Sequence, residues 1–145
     1  MTPPPDANAV TGIVLVTHAD YGASLLRAAE MILGPQERCA TIGVDATAEV
    51  GKTLSGLKEA VAAVDGGQGV LVLTDMFGGT PTNLSLSLLT SRRIEVLTGV
   101  SLPMLLKVLG NRKAAPDELA KTAKNAGIQG IVVAGEVLRK KAADG

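Results

Sequence analysis

The chain has 145 residues, enough for one domain with a real core. Its apolar fraction is 46%, but with one Phe, one Tyr and no Trp that core must be built from Val, Leu, Ile, Ala and Met. The 14 Lys and Arg balance the 14 Asp and Glu, which argues against a partner bound through a nucleic-acid backbone, and the single cysteine, Cys39, excludes an internal disulfide and suits a reducing compartment.

In chain order, residues 1–11 open with Met1-Thr2-Pro3-Pro4-Pro5-Asp6 and read as a disordered, Pro-rich lead-in with no secretory signal pattern. No apolar stretch approaches the ~20 residues of a membrane span, so a cytoplasmic protein is expected. Residues 12–138 read as a single domain. Its first element is the apolar run Gly12-Ile13-Val14-Leu15-Val16-Thr17, a strand that ends at His18, the only histidine. Leu25, Leu26, Ala29, Ile32 and Leu33 follow at helical spacing, stopped by Gly34-Pro35. Residues 39–44 read as a short strand with Cys39 as a small core residue, and Val50, Leu54, Leu57, Val61 and Val64 form one face of a long helix.

Gly69-Val70-Leu71-Val72-Leu73-Thr74 is then a near-copy of the first strand and ends at Asp75. Residues 81–89 contain the alternation Leu84-Ser85-Leu86-Ser87-Leu88, which alone would indicate a strand. Thr80 as N-cap and Pro81 in the first turn outweigh it, so a helix is expected. Residues 94–97 read as a strand, 104–109 and 117–126 as helices, and 130–134 as a last strand. Arg139-Lys140-Lys141 in the tail, 139–145, reads as a fraying helix end. Strands alternating with helices predict a doubly wound, mostly parallel open sheet of order 2-1-3-4, with helices on both faces.

Two nucleotide-like patterns fail. Gly51-Lys52-Thr53 resembles the end of a phosphate-binding loop, but Ala46 stands where that pattern needs Gly, and the triplet lies inside a helix. Gly66-Gly67-Gln68-Gly69 precedes a strand where a dinucleotide fingerprint would follow one. One His and one Cys do not make a zinc site, so no metal or cofactor is expected.

If the two similar strands pair in parallel, roughly 4.8 Å apart, His18 and Asp75 project from the same carboxyl edge, where open α/β sheets bind ligands. Met76-Phe77-Gly78-Gly79-Thr80 then leads from Asp75 to a helix N-terminus, whose free amides and dipole favour an anion. An imidazole, a carboxylate and an anion pocket around one point suit phosphoryl chemistry. His18 would be the nucleophile, Asp75 would fix its tautomer, and Gly78, Gly79 and Thr80 would hold the phosphoryl oxygens.

At Thr17-His18, at Asp75-Met76-Phe77-Gly78-Gly79-Thr80-Pro81-Thr82-Asn83 and at Gly99-Val100-Ser101-Leu102-Pro103-Met104, the chain resembles the enzyme IIA component of the mannose-family sugar phosphotransferase system. The resemblance implies that His18 is phosphorylated by the phosphocarrier HPr and passes the group to a separate IIB component, while membrane IIC and IID components move the sugar. It also implies a homodimer with four parallel strands and a fifth, residues 130–134, exchanged between subunits. The chain departs from the family at Ala19, where Gly is common, and Asp20 adds a carboxylate near His18. A regulator that reports phosphorylation state through the same fold is the alternative reading.

Overall fold

The computed structural model describes residues 9–45, 47, 49–89 and 93–145. The Pro-rich lead-in expected at 1–11 therefore lies largely outside the described residues. The elements are β1 (Gly12–His18), α1 (Tyr21–Leu33), β2 (Cys39–Val44), α2 (Val50–Val64), β3 (Val70–Thr74), α3 (Gly79–Leu86), β4 (Ile94–Thr98), α4 (Leu102–Leu109), α5 (Pro116–Gln129) and α6 (Ala134–Asp144). All strand pairs are parallel and the order is β2-β1-β3-β4. The chain is thus the doubly wound open sheet that its pattern predicts.

The two central strands explain their unbroken apolar sequences. Ile13 and Leu15 of β1, with Leu71 and Leu73 of β3, pack on one face against Ala29 of α1, Leu105 and Val108 of α4, and Leu119 of α5. Val14, Val16, Val70 and Val72 point to the other face, against Leu57 and Val61 of α2 and Leu84 of α3. Successive side chains alternate faces, and both faces are covered, so every position must be apolar. Each fully buried Val or Leu contributes about 1.5–3 kcal/mol relative to exposure, which fixes the register of the ladder. That register pairs Val14 with Val72 and Val16 with Thr74, and on the other side His18 with Val44.

Four expectations need correction. Residues 130–134 do not form a strand among the described residues. Helix α5 continues to Gln129, and Gly130 caps it in a near-helical conformation. Ile131, Val132 and Val133 follow without a ladder partner, at 83%, 57% and 62% exposure. From Ala134 the chain re-enters a helix, α6, which takes in the basic tail and has no buried residue. Helix α3 starts at Gly79 and ends at Leu86, so it begins before Pro81 and stops short of Leu89. Its N-cap is Gly78 rather than Thr80: Gly78 and Gly79 take φ of 92° and 79°, a turn open to glycine that starts the helix two residues earlier. Cys39 is only partly buried, because β2 is an edge strand.

Candidate functional site

The β1–β3 ladder brings His18 and Asp75 together at the carboxyl edge of the sheet. One carboxylate oxygen, Oδ2 of Asp75, accepts the backbone N–H of His18 at 2.9 Å and lies 2.8 Å from the ring nitrogen Nδ1. Burial pushes the Asp75 pKa up, but the backbone and ring hydrogen bonds and the charge of His18 outweigh it and hold the carboxyl below its ordinary value of 3.8. An ionised carboxylate only accepts, so Nδ1 carries the proton and the lone pair of the neutral ring sits on Nε2. The imidazole is half open to solvent, with 51% of its side chain exposed, whereas Asp75 has 14% exposed. The other carboxylate oxygen, Oδ1, is buried without a hydrogen-bond partner among the described residues.

Nε2 faces the start of α3. A methyl group built on Gly79 would lie 3.5 Å from both Nε2 and Cε1 of His18. The amides of Gly79 and Thr80 occupy the first turn, where no carbonyl four residues back is available, and Pro81 brings no N–H to that turn. Among the described residues these two amides have no hydrogen-bond partner, and with the positive end of the helix dipole they lie on the side of the ring that Nε2 faces. Thr80 is exposed, and its side chain does not cap the helix. Of the five residues singled out in the sequence, His18 and Asp75 meet directly and Gly79 lies beside the His18 ring, while Gly78 and Thr80 flank Gly79 in the chain.

Several positions beyond the five singled out also shape the site. Ala19 adopts φ 49°, which turns the chain sharply after His18, and its N–H donates to the carbonyl of Val44 at 3.0 Å. This turn brings the Ala19 carbonyl close over β2, so close that a Cβ on Gly43 would sit 2.2 Å from its oxygen. A lone glycine inside a strand is the sequence signal for such a close approach. Thr17 accepts the N–H of Gly22 at 2.7 Å and so satisfies an orphan amide at the start of α1. On the loop that carries Asp75, Met76 and Phe77 are 53% and 77% exposed. A cavity of about 370 Å³ lined by Gln68, Arg93, Glu95 and Asp117 lies at the opposite, amino edge of the sheet, away from the half-exposed His18.

The chain matches the family model EIIA-man, described as PTS system fructose IIA component, over residues 12–125. It is 34% identical over 122 residues to the mannose-specific EIIAB component of the phosphotransferase system of Escherichia coli K12. That match covers 82% of this chain and 38% of the relative, so the chain spans little more than a third of that protein's length. It is 37% identical over 103 residues to the sorbose-specific EIIA component of Lacticaseibacillus casei, covering 68% of this chain and 72% of that one. The crystal structure of a phosphotransferase system EIIA component from Streptococcus agalactiae superposes with a TM-score of 0.79 at 29% identity, covering 87% of this chain and 98% of the other. No helix among the described residues is long and apolar enough to cross a membrane. The chain belongs to the EIIA-man family, the family of IIA components of the phosphotransferase system.

Proposed function

We propose that this chain is a cytoplasmic phosphohistidine carrier that accepts a phosphoryl group from HPr on His18 and passes it to a IIB component, ahead of sugar uptake through membrane IIC and IID components. The observation that carries this reading is the Nδ1-to-Asp75 contact of 2.8 Å with Nε2 turned to the start of α3. The Nε2 lone pair attacks the phosphorus of the donor's phosphoramidate. The new N–P bond forms at His18 as the donor's N–P bond breaks, and the donor ring leaves with that electron pair. Nδ1 keeps its proton throughout, so the phosphorylated ring is cationic and Asp75 balances its charge. The amides of Gly79 and Thr80, with the Thr80 hydroxyl, stabilise charge spread over the phosphoryl oxygens. No metal is required by this sequence of steps, because the donor is already activated.

An open His18 beside the exposed Met76 and Phe77 suits a donor presented on another protein's surface. We further propose a homodimer. Ile131, Val132 and Val133 have exposed β-branched side chains and no ladder partner in their own chain, α6 buries nothing, and Leu86 and Leu89 leave apolar surface beside α3. Incubation with phosphoenolpyruvate and the general phosphotransferase proteins, followed by intact mass measurement, tests the carrier reading. One acid-labile phosphoryl group is expected on the wild-type chain and none on folded His18→Ala. A phosphorylated His18→Ala variant would remove His18 from the mechanism.

A further inference from the structure

We infer that Thr82 is a positioning residue for phosphoryl transfer, acting with Thr74 through the carbonyl of Met76; this deepens the carrier reading and rests on it. The loop from Asp75 to Gly78 supplies both the partner of the imidazole and the approach to the α3 amides, so its conformation sets the geometry of the transfer. Among its backbone groups, the Met76 carbonyl is held from the core side. The Thr82 hydroxyl donates to it, and Thr74 Oγ1 lies 3.4 Å from the same oxygen. The two threonine hydroxyls are 3.0 Å apart. Both residues are fully buried.

A carbonyl only accepts, so with the Thr82 hydroxyl donating to Met76, the Thr74 hydroxyl is free to donate to the Thr82 oxygen or to the same carbonyl. Thr74 is itself anchored, since its carbonyl accepts the N–H groups of both Gly99 and Val100 at 2.9 Å. The chain of hydroxyls therefore runs from the sheet, through the first turn of α3, to the residue next to Asp75. Each bond polarises the next. Loss of the Thr82 hydroxyl leaves the Met76 carbonyl, on its part-buried side, with only the long Thr74 contact, which loosens the hold on the loop. Any resulting movement displaces Asp75 and Gly79 together, the two groups that flank the imidazole.

Thr82→Val removes the hydroxyl while keeping the branched shape, and Thr82→Ser keeps the hydroxyl. At saturating donor, Thr82→Val is expected to slow phosphoryl acceptance by roughly tenfold or more with the donor KM unchanged, since displacement of about 1 Å at a reacting centre costs up to about 100-fold. Thr82→Ser is expected to recover most of the wild-type rate. Thr74→Val, which breaks only the first link, should slow the reaction by less than Thr82→Val, and it decides the matter with Thr82→Ser if Thr82→Val does not fold. The inference is overturned if folded Thr82→Val transfers at the wild-type rate, whatever its melting temperature, or if Thr82→Ser is as slow as Thr82→Val. With Thr82→Val unfolded, Thr74→Val at the wild-type rate overturns it. Amide chemical shifts of Gly78, Gly79 and Thr80 provide a readout independent of transfer: they should move in Thr82→Val and stay in Thr82→Ser. A wild-type chain that takes up no phosphoryl group would instead sink the carrier reading, and the amide shifts would still decide whether Thr82 sets the loop.

Discussion

Gly43→Ala is the sharpest probe of how the fold aims His18. The added Cβ would fall 2.2 Å from the Ala19 carbonyl oxygen and 3.0 Å from its carbon. Reaching an ordinary contact of about 3.4 Å requires a retreat of roughly 1 Å, and the obstructing atoms are backbone, so no side chain can swing aside. The peptide cannot retreat freely either. The Ala19 N–H is tied to Val44 at 3.0 Å and the His18 N–H to Asp75 at 2.9 Å. Overpacking of this kind costs about 1–3 kcal/mol, which for a domain of this size lowers the melting temperature by roughly 3–10 °C. Because the strained segment begins one residue after the nucleophile, phosphoryl acceptance should fall by about 10- to 100-fold. Quenched-flow phosphorylation of His18, followed by intact mass well below the melting temperature, measures the rate. An unchanged rate in a destabilised but folded variant would show that the β1–α1 turn holds the fold without aiming the imidazole. Combining the change with Ala19→Gly should recover part of the loss, since residues in direct contact couple non-additively.

Ala19→Gly alone should stabilise the chain by about 0.5–1 kcal/mol in urea unfolding, because φ 49° strains an alanine and suits glycine; a loss of stability would mean that the Ala19 methyl makes contacts worth more than the strain. Asp75→Asn should slow transfer roughly 5- to 150-fold, equivalent to about 1–3 kcal/mol, and a rate within a factor of two of wild type would remove Asp75 from the mechanism. The pKa of Asp75 is depressed in the folded state, so its carboxylate contributes stability in full above the ordinary value of 3.8 and loses it as pH falls through the folded value. The difference in melting temperature between wild type and Asp75→Asn should therefore shrink as acid is added below that point, and a gap that widens there would contradict the assignment. Light scattering at micromolar concentration should give twice the 14.7 kDa of one chain, and the monomer mass would refute the homodimer.

The parts of this fold that were legible in the sequence are those where one local pattern determines the outcome. Two short, unbroken, β-branched apolar runs read as strands covered on both faces, and once they pair they bring His18 and Asp75 to one edge. The end of the chain was not legible for the complementary reason. Ile131, Val132 and Val133 have strand propensity, but a strand needs an edge to pair with, and within one chain α5 runs on to Gln129 and leaves them without one. Propensity is local and pairing is not. The start of α3 shows a third case: Thr80-Pro81 signals a helix correctly, yet the two preceding glycines, with φ above 70°, move the boundary upstream to Gly79. That shift matters chemically, because it makes Gly79 the residue that meets the Nε2 face of His18.

The residues that tune the site were the hardest to read, because each acts through a backbone atom. Gly43 matters through a side chain it lacks, Ala19 through a dihedral angle, and Thr82 through a carbonyl six residues earlier. None of these forms a chemical motif, and all of them surround one that does. The division has a physical basis. The proposed nucleophile, carboxylate and anion site demand particular functional groups, so candidates for them stand out in the sequence. The ångström-scale placement of those groups is set by close packing, which many residue combinations can satisfy. This chain keeps alanine after its histidine and pairs that turn with a glycine on the neighbouring strand. His18 is thus paired with Val44 of β2 through the ladder and with Asp75 through its ring, which leaves the ring open toward α3 and solvent, the face that the proposed carrier role would use.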